Sequence, residues 1–210
     1  MRYKTNRTES SPPRVRCVKP AEVRLSELMS AAEQLFLAKG VDSTTINEIV
    51  EQAQVAKGTF YHYFASKNEL LSAMRERYTD QFLKRLEEKT GTCKADDYLG
   101  QLCAWVRESI EAYVDTYRLH DIVYTNHHHH NRTNWEKNAI LEQLQVILEN
   151  GTRVGVWQIA EARITSLIIY SGVHGATDDI IASSEVDRDH FISAVLVNCL
   201  QMVGVLEYQK

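Results

Sequence analysis

The chain has 210 residues, 44% of them hydrophobic and 25% charged, with 24 Lys and Arg against 28 Asp and Glu and a net charge of −4. These proportions suit a globular protein with a packed core and exclude a disordered tail, a collagenous repeat and a membrane channel. The best candidate for a membrane span, Leu196–Leu206, carries Asn198 and Gln201 and falls well short of the roughly 20 apolar residues required, so no membrane partner is expected.

Residues 1–20 read as a flexible basic arm, with Arg2, Lys4, Arg7, Arg14, Arg16 and Lys19 against Glu9 alone. Met1–Arg7 is polar, with no apolar stretch behind it, so no secretory signal is expected. Cys17, Cys93, Cys103 and Cys199 form no C-x-x-C pair and read as reduced thiols, which predicts a cytoplasmic location. Pro12, Pro13 and Pro20 all lie in this arm, and the long proline-free remainder, with its helical spacing of apolar residues, predicts an all-α body. The arm is basic and residues 76–210 are acidic, a distribution that points the front of the chain toward a polyanion.

From Ala21 a helix is expected. Leu25, Leu28, Ala32, Leu35 and Phe36 share one face, and Gly40 follows as its C-terminal cap. Asp42, Ser43, Thr44 and Thr45 offer N-caps to a short helix marked by Ile46, Ile49, Val50 and Ala53. After a brief turn, Lys57–Phe64 offers Phe60, Tyr63 and Phe64 to a core, and Ser66 caps a longer helix that ends near Gly91. The two short helices are unstable alone and must pack on each other and on the first. Such a trihelical unit is the helix-turn-helix arrangement, whose second helix enters the DNA major groove. Its exposed side would carry Lys57, Thr59, Tyr61 and His62, suited to phosphates and base edges. Ser43, Thr44 and Thr45 would form a phosphate clamp at a helix start, with Lys67 as a second.

Residues 24–82 resemble the DNA-binding domain of the TetR family of transcriptional regulators. The resemblance rests on Ala32, Phe36, Gly40, Thr44-Thr45-Ile46, Ile49, Ala53 and Val55. It continues through Lys57-Gly58-Thr59-Phe60-Tyr61-His62-Tyr63-Phe64 and Ser66-Lys67-Asn68-Glu69-Leu70-Leu71. It implies that Thr44 or Thr45, Tyr61 and Lys67 touch phosphates. It also implies that Lys57, Thr59 and His62 face bases or nearby phosphates, and that Gly58 admits the backbone close to DNA. Two positions depart from the family pattern. Gln54 stands where glycine is usual, which predicts a left-handed residue or a reshaped turn. Ala56 stands where Ser or Thr is usual, which removes a helix cap and one phosphate contact.

Five further helices are expected: near Asp96–Tyr117, around Leu119–Thr125, over Trp135–Asn150 with Gly151 as its stop, and roughly over Glu161–Ala182 and Val186–Tyr208. The expected fold is thus all-α with about nine helices, divided as arm 1–20, DNA-binding domain 21–66, and regulatory and dimerisation domain 67–210, of which 67–90 is a linker helix. The resemblance implies that the last two helices of each subunit form a four-helix bundle in a homodimer. Ile164, Leu167, Ile168, Ser171 and Gly175 would supply one stripe and Phe191, Val195, Asn198 and Met202 the other.

Trp105, Tyr113, Tyr117, His120, Tyr124 and Trp135 are candidates to line a small-molecule pocket. The run His127–His130 offers imidazoles, of which His127 and His130 would share a helical face, yet no carboxylate or thiolate lies at ligand spacing; no metal or other cofactor is expected. The chain lacks the G-x-S-x-G, H-E-x-x-H, phosphate-loop and dinucleotide-loop motifs, so an enzyme is not expected. The functional expectation is a transcriptional regulator that binds a palindromic double-stranded operator and is released by a small effector. The alternatives are an architectural or protein-docking factor without a small ligand, or a metal-responsive regulator using the histidine run.

Overall fold

The computed structural model describes residues 20–124, 135–183 and 187–205, without the side chains of 135–137. Most of the basic arm, the His127–His130 run and the Trp135 side chain therefore lie outside the described residues.

Eight helices are described: α1 (Ala21–Lys39), α2 (Ile46–Gln52), α3 (Lys57–Tyr63), α4 (Lys67–Thr90), α5 (Tyr98–Tyr124), α6 (Trp135–Arg153), α7 (Ala162–Ala182) and α8 (Arg188–Met202). The architecture is all-α, and the difference from nine has a simple cause. No proline or glycine interrupts Tyr117–Leu119, and the two helices expected on either side run on as a single α5.

Helix starts and stops follow local chemistry. Gly40 ends α1 at φ 83°, its N–H donating to Phe36 O, a conformation open to glycine at little cost. Thr45 and Glu48 cap α2 reciprocally, each side chain bonding the other's backbone N–H. Ser66 caps α4 by accepting from the Glu69 N–H. Gly151 does not end α6. The helix continues to Arg153, and the missing side chain at Gly151 makes room for the Trp157 ring, whose Nε1 donates to Leu148 O at 2.8 Å.

Two cores result. The head core gathers Leu28, Phe36, Ile49, Phe60, Phe64, Leu70, Met74 and Tyr78, and is closed by Val123 from the end of α5. The body core gathers Leu86, Leu102, Trp105, Ile110, Leu144, Leu148, Trp157, Ile169 and Leu196. The first half of α4 thus packs with the head and its second half with the body, so packing does not break at residue 66.

Candidate nucleic-acid interface and sensor cluster

The head presents α3 as a short outward helix. Phe60 is fully buried and anchors it; Lys57, Gly58, Tyr61 and His62 are exposed and Thr59 is half-buried. A Cβ added to Gly58 would meet nothing within 4 Å among the described residues, so none of them requires the glycine. Tyr63 fixes the far end of α3, donating from its hydroxyl to Ala21 O at 2.9 Å. The turn before α3 takes the left-handed form expected from sequence, with Gln54 at φ 54°. Ala56 is the N-cap of α3 and supplies no side-chain hydrogen bond.

The expected phosphate clamps are placed unevenly. Ser43 and Thr45 are exposed beside the start of α2. Thr44 is 1% exposed, and its hydroxyl donates to Gly40 O at 2.8 Å. Of the expected pair Thr44 or Thr45, Thr45 is thus the one with an exposed side chain, while the Thr44 side chain closes the α1–α2 loop from inside. Lys67 is half-buried, and its ammonium donates to Val41 O at 2.5 Å and Thr44 O at 2.9 Å. It faces that same loop. Beside it, Lys39 pairs with Glu48 at 2.5 Å, and this ammonium holds the exposed Glu48 carboxyl down at about 2.

Of the six candidate pocket residues, the structure gathers Tyr113, His120 and Tyr124. His120 is the hub: its ring lies 4.8 Å from Tyr113, 4.7 Å from Tyr124, 5.8 Å from Tyr78 and 5.5 Å from His174. Three helices meet there. Hydroxyl bonds tie them: Tyr113 donates to Asp178 at 2.6 Å, Tyr78 bonds Thr116 at 3.0 Å, and Tyr124 bonds Thr79 at 3.0 Å. His174 also reaches Asp178, at 3.3 Å. Burial among the rings holds His120 below its ordinary value, and burial pushes Tyr78 and Tyr170 each up to about 12. Trp105 lies apart, in the body core, and Tyr117 accepts instead from Arg118. Sequence reasoning missed Tyr78, Tyr170, His174 and Asp178. The i, i+4 pair His174–Asp178 was the signal available for α7.

The outer faces of α7 and α8 are uncovered. Ile164, Leu167, Ile168, Ser171 and Gly175 are exposed along α7, as are Val197, Asn198 and Met202 along α8. Phe191 and Val195 turn partly inward against the body core. No described helix is long and apolar enough to cross a membrane.

A trihelical head with an outward α3, carried by a helical body, is the helix-turn-helix arrangement. Residues 28–74 match the family model described as bacterial regulatory proteins, tetR family. The chain is 25% identical over 161 residues to the HTH-type transcriptional regulator QacR of Staphylococcus aureus, covering 71% of this chain and 81% of that protein. It is 31% identical over 86 residues to the HTH-type transcriptional repressor NemR of Escherichia coli, covering 41% of this chain and 43% of that protein. The fold is similar to that of a TetR-family crystal structure from Syntrophomonas wolfei, with a TM-score of 0.71 and 20% identity over 90% of this chain and all of that one.

Proposed function

We propose that this regulator is a cytoplasmic repressor that holds a palindromic operator as a homodimer and releases it when a small apolar or aromatic molecule enters the α4–α5–α7 cluster. The observation that carries the reading is the geometry of α3, which rests on Phe60 and turns Lys57, Gly58, Tyr61 and His62 outward. In this reading Lys57, Thr59 and His62 meet base edges, while Ser43, Thr45 and Tyr61 meet phosphates. Gly58 admits the DNA backbone at close range.

A palindrome calls for two-fold symmetry in the protein. The uncovered face of α7 and α8 supplies a self-complementary surface, apolar at Ile164, Leu167, Ile168, Val197 and Met202. Gly172 and Gly175 lie on it, and a Cβ at either would meet nothing within 4 Å among the described residues. That absence of internal constraint fits glycines that allow another helix to approach.

The release step follows from the ties across the cluster. Tyr78 and Tyr124 join α4 to α5, and Tyr113 joins α5 to α7. A molecule that binds better when these rings part moves α4, which is rooted in the head core. No catalytic step and no metal belong to this reading.

Gly175→Leu tests the assembly. Sedimentation should show a monomer, and operator affinity should fall at least tenfold while the helical circular dichroism is kept. A wild-type monomer that protects a full palindrome would overturn it.

A further inference from the structure

We infer that the Trp105 indole N–H is a specificity-determining donor for the effector, which is therefore an apolar molecule carrying a neutral hydrogen-bond acceptor, such as an aryl ketone. This donor extends the α4–α5–α7 effector site proposed above inward along α5, and its role rests on that reading.

Trp105 is 1% exposed, and its Nε1 has no hydrogen-bond partner among the described residues. A buried Trp N–H ordinarily finds an acceptor. The fold keeps to that rule nearby. Trp157 donates to Leu148 O at 2.8 Å. The buried hydroxyls of Ser109, Ser166 and Thr177 each donate to a carbonyl of their own helix, and buried Glu108 accepts from Arg85. Phenylalanine at position 105 would fill a core without stranding a donor, so the indole nitrogen is not explained by packing.

Position joins this donor to the ring cluster. Trp105, Ser109 and Tyr113 stand at i, i+4 and i+8 on one face of α5, which puts Trp105 about 12 Å along the axis from Tyr113. Ser109 and Ala112, both small and both buried, stand between them on that face. Tyr113 bonds Asp178 of α7, and Ile169 and Val173 of α7 pack in the same core as Trp105. The seam between α5 and α7 thus runs from the rings around His120 to an unmet donor deep in the body.

The donor and its surroundings set the ligand's chemistry. An indole N–H gives a hydrogen bond and accepts none, so its partner is an acceptor. Leu86, Leu102, Leu144 and Leu148 share its core. An ionised group is too costly to carry into such surroundings, so the acceptor is neutral. A carbonyl, an ether or a ring nitrogen on an apolar body meets both conditions.

The test uses the full chain with 2-acetylnaphthalene and 2-isopropenylnaphthalene, an isostere in which a methylene group replaces the carbonyl oxygen. The wild type should bind the ketone about tenfold more tightly than the hydrocarbon, because only the ketone meets the buried donor. The Trp105 indole proton resonance, assigned through Trp105→Phe, should move downfield with the ketone and stay in place with the hydrocarbon. Trp105→Phe should bind both compounds equally, at the wild-type affinity for the hydrocarbon. Equal affinities in the wild type, an indole proton that does not move, or a preference that survives in the Phe variant would each overturn this role. So would a cross-peak from water to the indole proton that persists at saturating ketone, because the donor would then serve a buried water only. Binding of neither compound to the wild type would overturn the ligand class. If the Phe variant unfolds, the wild-type affinity ratio decides, with the indole assigned by elimination from Trp135→Phe and Trp157→Phe. Ketone binding at Trp105 that leaves affinity for a selected duplex unchanged would refute the release step proposed above, a result separate from the contact itself.

Discussion

Tyr113 on α5 donates a 2.6 Å hydrogen bond to Asp178 on α7, and His174, one turn before Asp178, lies 4.5 Å from the Tyr113 ring. Burial, and then the Asp178 carboxylate, push the phenol above its ordinary value, so it stays a donor at any physiological pH. Tyr113→Phe removes the donor and keeps the ring. It should cost about 1.5–3 kcal/mol, the usual range for a hydrogen bond to a charged group. Urea unfolding of the variant beside the wild type measures the difference, and an unchanged midpoint would mean that the bond contributes nothing.

Acidification should loosen the same cluster. The folded value of His120 lies below its ordinary 6.5 because the ring is buried, so the fold favours the neutral imidazole. The stability this confers is complete above about 6.5 and is lost as pH falls from there toward the folded value. The wild-type Tm should therefore drop between pH 7.5 and 5.5. His120→Phe, which keeps a ring and has no proton to gain, should drop less. Equal drops in the two chains would remove His120 from the account.

Glu108 is 3% exposed and accepts from Arg85 Nε at 2.7 Å, with Lys89 at 3.8 Å; Arg85 also reaches Asp115, which pairs with Arg188 of α8 at 3.1 Å. Arg85→Ala strands a buried carboxylate and should cost roughly 3 kcal/mol, the low end for breaking such a pair, because Lys89 remains nearby. Arg85→Ala combined with Glu108→Gln should recover part of that loss. Calorimetry on both variants checks the order.

The turn before α3 offers the reverse effect. Gln54 occupies φ 54° and Ala56 leaves the α3 N-cap without a side-chain acceptor. Gln54→Gly should stabilise by about 1 kcal/mol through relief of the left-handed strain. Ala56→Ser should add about 1 kcal/mol through a cap bond. Together they should raise Tm by several degrees, and a lower Tm in either single variant would show that the turn is not strained as described.

Both departures were legible in the sequence because each depends on one backbone position. The helices of the head were legible for the same kind of reason: Gly40 and Ser66 are local signals that end α1 and start α4, and the N-cap of α2 is Thr45, the last of the four candidates Asp42–Thr45. What sequence reading could not supply was direction across helices. Thr44 and Thr45 are neighbours of the same chemistry, yet the turn sends one hydroxyl inward to Gly40 and the other outward to the α2 cap. Lys67 stands 26 and 23 residues from Val41 and Thr44, and only the fold brings their carbonyl oxygens to its ammonium. Tyr78, His174 and Asp178 come from two helices far apart in the chain, and only packing brings them to His120.

The reading as a whole turns on whether α3 reads DNA sequence. Duplexes bound by the wild-type chain from a random pool, sequenced and compared with those bound by Thr59→Ala and Lys57→Ala, measure this directly. The account predicts an enriched palindrome for the wild type and altered preference at a few matched positions in each half-site for the two variants. No enrichment above the starting pool, or the same palindrome from all three chains, would contradict it.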